Sequence, residues 1–395
     1  MNTAKGSSAA TRVGLLPAFA LIHFSHHLCT GMLVPLLPLI RSDFGLNYFQ
    51  SGLLVSSFNV TYGISQIPLG RLADRANKPL LLALGLWGVA FTAMAVGLSP
   101  GYYIAIASFI AMGVLGGTYH PSSVPLLSQF YSRERRGQAL GFHFIGGNAS
   151  FLLTPVLSGL IAQMAGWRTA FIAMPLFTLL STLVFVAIMK GQGLTASEVA
   201  ARAEAKERVP LGEVVRVLGV LVGISGFTAL ITSGVNSFLP LYLVDKHGVA
   251  PSLAAMMIGL TSGAGGVGGP AGGALSDRIG RKPVIMTSII LVGPLLYLLT
   301  VAPFGPGLIA AFLLFGLAQT SRMPAMESLI MDVVPAQQRS TVFGFYFFLT
   351  TEMGGIASTA VGLLIDWMGL NTVFTLLALT AVASSSLLLL IRGKL

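Results

Sequence analysis

Mostly apolar runs, each long enough to cross a bilayer as a helix, recur along the chain and are parted by short loops of Gly, Pro and charge. They lie at roughly 13–40, 47–72, 79–98, 102–131, 137–164, 167–190, 212–243, 251–276, 283–301, 305–333, 339–366 and 370–392. A helical crossing takes about 20 apolar residues. The chain therefore predicts an all-α membrane protein of twelve transmembrane helices, with tilt or extension beyond the lipid in the longer ones. Composition agrees: 54% of the residues are hydrophobic and 9% charged, against about 25% charged in an ordinary soluble domain. The 47 glycines suit closely approaching membrane helices. The single Cys29 excludes a disulfide within the chain. The first apolar run is too long for a signal-peptide core and shows no small-residue cleavage site, so it is expected to be retained as a span.

The net charge of +10 does not point to nucleic acid, because the basic residues alternate with the loops. One side holds 19 of the 23: Lys5, Arg12, Arg71, Arg75, Lys78, Arg133, Arg135, Arg136, Lys190, Arg202, Lys206, Arg208, Arg216, Arg278, Arg281, Lys282, Arg339, Arg392 and Lys394. The other side holds Arg41, Arg168 and Lys246, and Arg322 lies inside a span. Positive loops stay in the cytoplasm. Both termini are therefore expected there, in a cell (inner) membrane.

The chain also contains a partial copy of itself. GRLADR (70–75) matches GALSDR (273–278), RRGQALGF (135–142) matches QRSTVFGF (338–345), and GWRTAF (166–171) matches GLNTVF (369–374), each 203 residues on. Pro121 and Pro324 share that offset. Two pseudo-symmetric halves of six helices follow, 1–190 and 214–395, joined by a polar cytoplasmic linker, 191–213, rich in Ala, Glu, Lys and Arg.

Two parallel six-span halves resemble the major facilitator superfamily of secondary transporters. GRLADRANKP after span 2 and GALSDRIGRKP after span 8 resemble its signature loop. In the first copy Asn77 stands where a glycine is usual. TYHPSS in span 4 and ERRGQALGFHFIGGNASFLLTPVLSG into span 5 resemble the fosmidomycin-resistance-type drug exporters. Two features of proton-driven drug exporters are missing or partial. The arginine expected early in span 4 is absent, and Thr154-Pro155 with Gly159 only partly fills the span 5 motif. The resemblance implies that Gly70, Asp74, Arg75, Gly273, Asp277 and Arg278 form a cytoplasmic gate. There, a carboxylate at a helix end can hold a neighbouring helix N-terminus or an arginine.

Polar groups inside a span are costly and mark pathways. At about 1.5 Å per residue, His120 and Arg322 lie roughly 16 Å from the cytoplasmic end and Glu352 roughly 20 Å. His26, His27 and Asn148 lie near the same level. The stretch GGTYHPSS (116–123) therefore places a polar, kinked point at half depth. Pro121 frees a carbonyl one turn earlier, and Gly116 and Gly117 leave room. In the superfamily, spans 1, 4, 7 and 10 line the cavity, so the resemblance turns His27, His120, Asn236 and Arg322 toward the pathway. Tyr119 and Arg322 are 203 residues apart, so the halves could offer a phenol and a guanidinium to one ligand.

Glu352, His120 and Glu327 are the proton-coupling candidates, since burial moves a carboxyl toward neutrality and histidine titrates near it. Alternatively, Glu352 pairs with Arg322, and Glu327 is a gate or packing group. His143 reads as structural. His23 and His27 share a helix face, but no acidic or cysteine ligand accompanies them. Neither a metal nor a cofactor is expected.

No nucleotide loop or nucleophile constellation is present, and GGVGGP in span 8 reads as glycine packing, so an enzyme is not expected. The expected function is proton-coupled antiport, exporting small amphipathic or anionic compounds (drug efflux) by alternating access. The alternatives are a proton-coupled uptake symporter for an organic anion and a lipid translocator of the same fold. The partners expected are the small-molecule substrate, protons and the lipid bilayer, with the chain acting as a monomer.

Overall fold

A computed structural model describes residues 14–131, 133–191, 211–333, 346 and 354–391. No strand occurs among them. The helices are α1 (Leu15–Thr30), α2 (Leu33–Phe44), α3 (Tyr48–Arg75), α4 (Lys78–Gly97), α5 (Tyr102–Gly116), α6 (Tyr119–Gln129) and α7 (Arg133–Ala165). There follow α8 (Trp167–Gly191), α9 (Leu211–His247), α10 (Pro251–Ile279), α11 (Arg281–Val301), α12 (Pro306–Val333), α13 (Gly354–Met368) and α14 (Leu370–Ile391).

Among the described residues, eight helical stretches are long and apolar enough to cross a membrane; α1 with α2 and α5 with α6 each count as one. Two shorter apolar stretches, Gly354–Met368 and Leu370–Ser386, add to these. The glycine- and serine-bearing α3 and α10 complete the twelve spans read from the sequence. A helix suits this solvent because it satisfies every backbone donor and acceptor within itself.

Spans 1 and 4 are interrupted, which hydropathy alone did not reveal for span 1. α1 ends where the Gly31 N–H donates to the His27 carbonyl. α5 ends at Gly116, and α6 begins at Tyr119, two residues before Pro121. Pro121 has no N–H to give to the Gly117 carbonyl one turn back, so the break falls where GGTYHPSS predicts a kink.

The internal repeat reaches the backbone. Gly45 and Gly248 have φ of 63° and 64°, and Gly166 and Gly369 both have φ of 84°. Each pair is 203 residues apart. Only Gly adopts this region without strain, so the same turns recur between equivalent helices. Where the repeat departs, at Asn77 against Gly280, the backbone departs too. Gly280 has φ of 98°, whereas Asn77 is at −68° and caps α4 by accepting from the Leu80 N–H at 3.0 Å.

By contacts the chain forms two compact units. One comprises Met1–Met32, Thr61–Thr154 and Arg168–Ala203; the other comprises Leu33–Val60, Pro155–Trp167 and Glu204–Leu395. The boundary passes through α3 and α7. The first unit packs Leu15, Phe19 and Ile22 of α1 against Leu82 and Leu86 of α4, Leu126 of α6 and Phe185 of α8. The second packs Val222 of α9, Ile285 and Ile289 of α11 and Met326 and Ile330 of α12 around Tyr346. Lipid gives no hydrophobic drive between helices, so close backbone approach matters. GGVGGP supplies it: a Cβ on Gly268 would come within 2.5 Å of the Leu317 carbonyl oxygen on α12.

Candidate functional site

In the first unit, five histidines from three helices meet. His23, His26 and His27 come from α1, His120 from α6 and His143 from α7. Ring centroids are 5.0 Å apart for His23 and His27, 5.7 Å for His23 and His120, and 5.9 Å for His27 and His120. His143 stacks on His23 at 4.2 Å, and Tyr119 on His26 at 4.3 Å. The α7 backbone can come this close because position 147 is Gly; a Cβ there would meet the His23 ring at 2.6 Å.

Hydrogen bonds fix how the rings face. The His23 Nδ1–H donates to the His143 carbonyl, and the His143 Nδ1–H to the Phe19 carbonyl, both at 3.0 Å. A carbonyl can only accept, so each ring is protonated at Nδ1 and presents the lone pair of Nε2. The Thr30 hydroxyl donates to the His26 carbonyl at 3.2 Å and lies 3.4 Å from His27 Nδ1. His26 Nε2 meets the Tyr62 hydroxyl at 3.3 Å. His120 and Tyr119 thus stand inside an imidazole cluster. His143, read from the sequence as structural, belongs to it. Asn148 is exposed on α7.

The second unit holds the cation. Arg322 on α12 is 5% exposed, and its Nε and Nη1 have no hydrogen-bond partner among the described residues. Tyr346 lies within electrostatic range of both Arg322 and Glu327. Glu327, on the same helix as Arg322, is half-buried. Glu352 lies outside the described residues. On α9, the Asn236 amide donates to Gln319 Oε1 of α12 at 3.1 Å, a partner the sequence reading missed. Tyr119 and His143 correspond through the repeat to Arg322 and Tyr346, so the polar groups recur at matching positions with different chemistry.

Of the loop motifs, Asp277 is ion-paired with Arg281 one turn on, Arg278 is exposed, and Arg281 also donates to the Ser276 hydroxyl at 3.0 Å. The two motif glycines have equivalent surroundings. A Cβ on Gly70 would meet Pro121 at 3.6 Å, and one on Gly273 would meet Pro324 at 3.4 Å. The side chains of Asp74 and Arg75 lie outside the description.

The sequence reading also missed a polar cluster in the second unit. The Asp245 carboxylate of α9 receives Arg41 Nη1 of α2 at 2.5 Å and the Tyr48 hydroxyl of α3 at 2.6 Å. The Asp366 carboxylate of α13 accepts the Tyr48 and Phe49 N–H groups at 3.0 and 2.8 Å, capping the start of α3. An arginine and two aspartates at span ends opposite the basic loops were the available signal.

The family model of the Major Facilitator Superfamily matches residues 19–267 and 221–394. The chain is 23% identical over 377 residues to "Fosmidomycin resistance protein" of Escherichia coli (strain K12), covering 95% of this chain and 92% of that one. It is 27% identical over 312 residues to "Probable sulfoacetate transporter SauU" of Cupriavidus necator (strain ATCC 17699 / DSM 428 / KCTC 22496 / NCIMB 10442 / H16 / Stanier 337), covering 74% and 72%. The fold is similar to a crystal structure of a bacterial homolog to the human lysosomal transporter Spinster in an inward-facing and unoccupied conformation. The TM-score is 0.76, at 17% identity over 97% of this chain and 96% of that one. Twelve apolar spans repeated at one offset, polar groups held inside them and a family match over nearly the whole length lead to one conclusion: the chain is a multi-pass membrane transporter and belongs to the Major Facilitator Superfamily.

Proposed function

We propose that the protein is a proton-coupled antiporter that exports small anionic or amphipathic compounds by alternating access of its two six-helix halves. The observation that carries this reading is Arg322, a buried guanidinium with two nitrogens that no described residue satisfies. A buried charge without partners is strongly unfavourable. A carboxylate, phosphonate or sulfonate in the cavity would relieve it through paired hydrogen bonds. The relatives named for fosmidomycin resistance and sulfoacetate transport are consistent with an anionic cargo. Glu327 and Glu352 are the carboxyls through which protons are exchanged, and His120 is the histidine candidate. Asn236 on α9, with Gln319 on α12, adds neutral donors and acceptors.

The test is counterflow in proteoliposomes, with labelled fosmidomycin and sulfoacetate as cargo. Arg322→Lys keeps the charge and loses the planar fork. Exchange that falls at least about tenfold in Arg322→Lys, with the protein still monodisperse, supports an anion held by Arg322. Exchange unchanged in that variant contradicts it. Import driven by an inward proton gradient would select the second reading, organic-anion uptake.

A further inference from the structure

We propose that His23, His27 and His120 form a binding site for a borderline-soft divalent transition-metal ion, of which Zn²⁺ and Co²⁺ are the probes. The site is independent of the anion held by Arg322, removes His120 from the proton carriers while a metal is bound, and lies wholly in the first compact unit. The ligating nitrogens of the three rings lie within 4.8 Å of one another. An ion centred among corners 4.8 Å apart sits about 2.8 Å from each, so an inward shift of about 0.7 Å per ring reaches the usual zinc–nitrogen distance.

The second observation is orientation. A metal-ligating histidine donates its other N–H to a carbonyl or hydroxyl, which fixes the tautomer and raises the basicity of the ligating nitrogen. His23 does this through Nδ1 to the His143 carbonyl at 3.0 Å. His27 has Nδ1 3.4 Å from the Thr30 hydroxyl, which itself donates to the His26 carbonyl. His143 stacks on the outer face of His23, and Phe151 lies 4.7 Å from the His27 ring centroid. The rings are thus held by neighbours that take no part in ligation.

The third observation comes from the repeat. The positions 203 residues after His23, His27 and His120 hold Gly226, Leu230 and Met323. The second copy folds without these rings, so the histidines are not a demand of the scaffold. His23 with His27 offers only two ligands on one helix face. His120, 93 residues further on, completes the set through the break that starts α6. Three neutral imidazoles leave a fourth tetrahedral position open and the ion's charge uncancelled. That position suits a water or an anion.

The experiment uses the purified full chain in detergent, stripped of metal and with any affinity tag removed. Co²⁺ is titrated while its visible absorption is recorded, and Zn²⁺ is then added in competition. The proposal expects one saturable equivalent with the intense absorption of tetrahedral cobalt, displaced by Zn²⁺. His23→Ala and His120→Gln should each lower affinity at least about tenfold, with melting temperature and monodispersity checked in parallel. His247→Ala, on α9 in the other unit, should leave it unchanged. Absence of a saturable equivalent in the wild-type chain overturns the site, as does wild-type affinity in both cluster variants. Neither result bears on Arg322, whose counterflow assay contains no added metal.

Discussion

Arg41 and Asp245, 204 residues apart in the sequence, form an ion pair of 2.5 Å in which the Tyr48 hydroxyl shares the same carboxylate oxygen. The Arg41 guanidinium also lies 4.1 Å from the Tyr48 ring centroid and donates through Nε to the Leu46 carbonyl at 3.1 Å. The ends of α2, α3 and α9 are therefore tied by one acidic group. The basic loops lead to the expectation that these ends face the outer side of the membrane. If the halves alternate access as proposed, the tie breaks when the outer side opens.

Removing the acceptor should favour outer opening. Both partners are only about a quarter exposed, 24% and 28%, and a pair of this kind contributes about 0.5–1 kcal/mol. Asp245→Asn should therefore raise the outward-open population roughly twofold to fivefold. Ser57 is buried in α3, so a cysteine there, in a Cys29→Ser background, reports opening by its labelling rate with a membrane-impermeant maleimide in intact cells. An unchanged rate would mean that the pair does not hold the closed state.

Asp366 should prove a true helix cap. Its two oxygens accept consecutive N–H groups at the start of α3. Loss of such a cap costs about 0.5–2 kcal/mol. Asp366→Ala should lower the melting temperature and speed hydrogen exchange at Tyr48 and Phe49 while leaving α14 unaffected. Equal protection in both proteins would assign the capping elsewhere.

Close approach of α7 to α1 should fail when position 147 gains a side chain. A methyl there would press on the His23 ring at 2.6 Å, and overpacking of this kind costs about 1–3 kcal/mol. Gly147→Ala should reduce thermal stability. Gly141, which has open space around the same Cβ position, should tolerate alanine. Equal melting temperatures for both variants would argue against tight packing at Gly147.

The spans and the repeat were legible because each rests on a local property. Apolar runs report crossing length, and identical turns such as Gly45 and Gly248 leave matching residues at one offset. The histidine cluster was half legible. The i, i+4 pair His23 and His27 shows in the sequence, and the polar kink of GGTYHPSS marked His120. Joining them, and bringing in His143, depends on helix register and packing, set by contacts such as Gly147 against His23. Asp245 and Asp366 were passed over because an acid at a span end reads as ordinary solvated loop. Their partners come from other spans, and no spacing announces them. The interruption of α1 at Gly31 was not read from the sequence, because Thr30 and Gly31 sit inside one long, mostly apolar run.

Coupling should separate from cargo binding. Glu327→Gln removes the half-buried carboxyl of α12 and leaves Arg322 in place. It should retain substrate counterflow within about twofold while losing at least about tenfold of gradient-driven transport. Loss of both activities together would make Glu327 a packing or gating group instead.

In the proposed cycle, substrate and protons move in opposite directions and each movement requires the other. The most direct measurement uses inside-out vesicles with an imposed proton gradient and a pH-reporting dye, to which fosmidomycin, a drug panel and organic anions are added. Wild type, Glu327→Gln and Glu352→Gln are compared. Proton-coupled antiport gives a substrate-triggered discharge of the gradient in wild type that is lost in at least one of the two variants. No discharge with any compound, in vesicles where counterflow is intact, would contradict proton-coupled antiport.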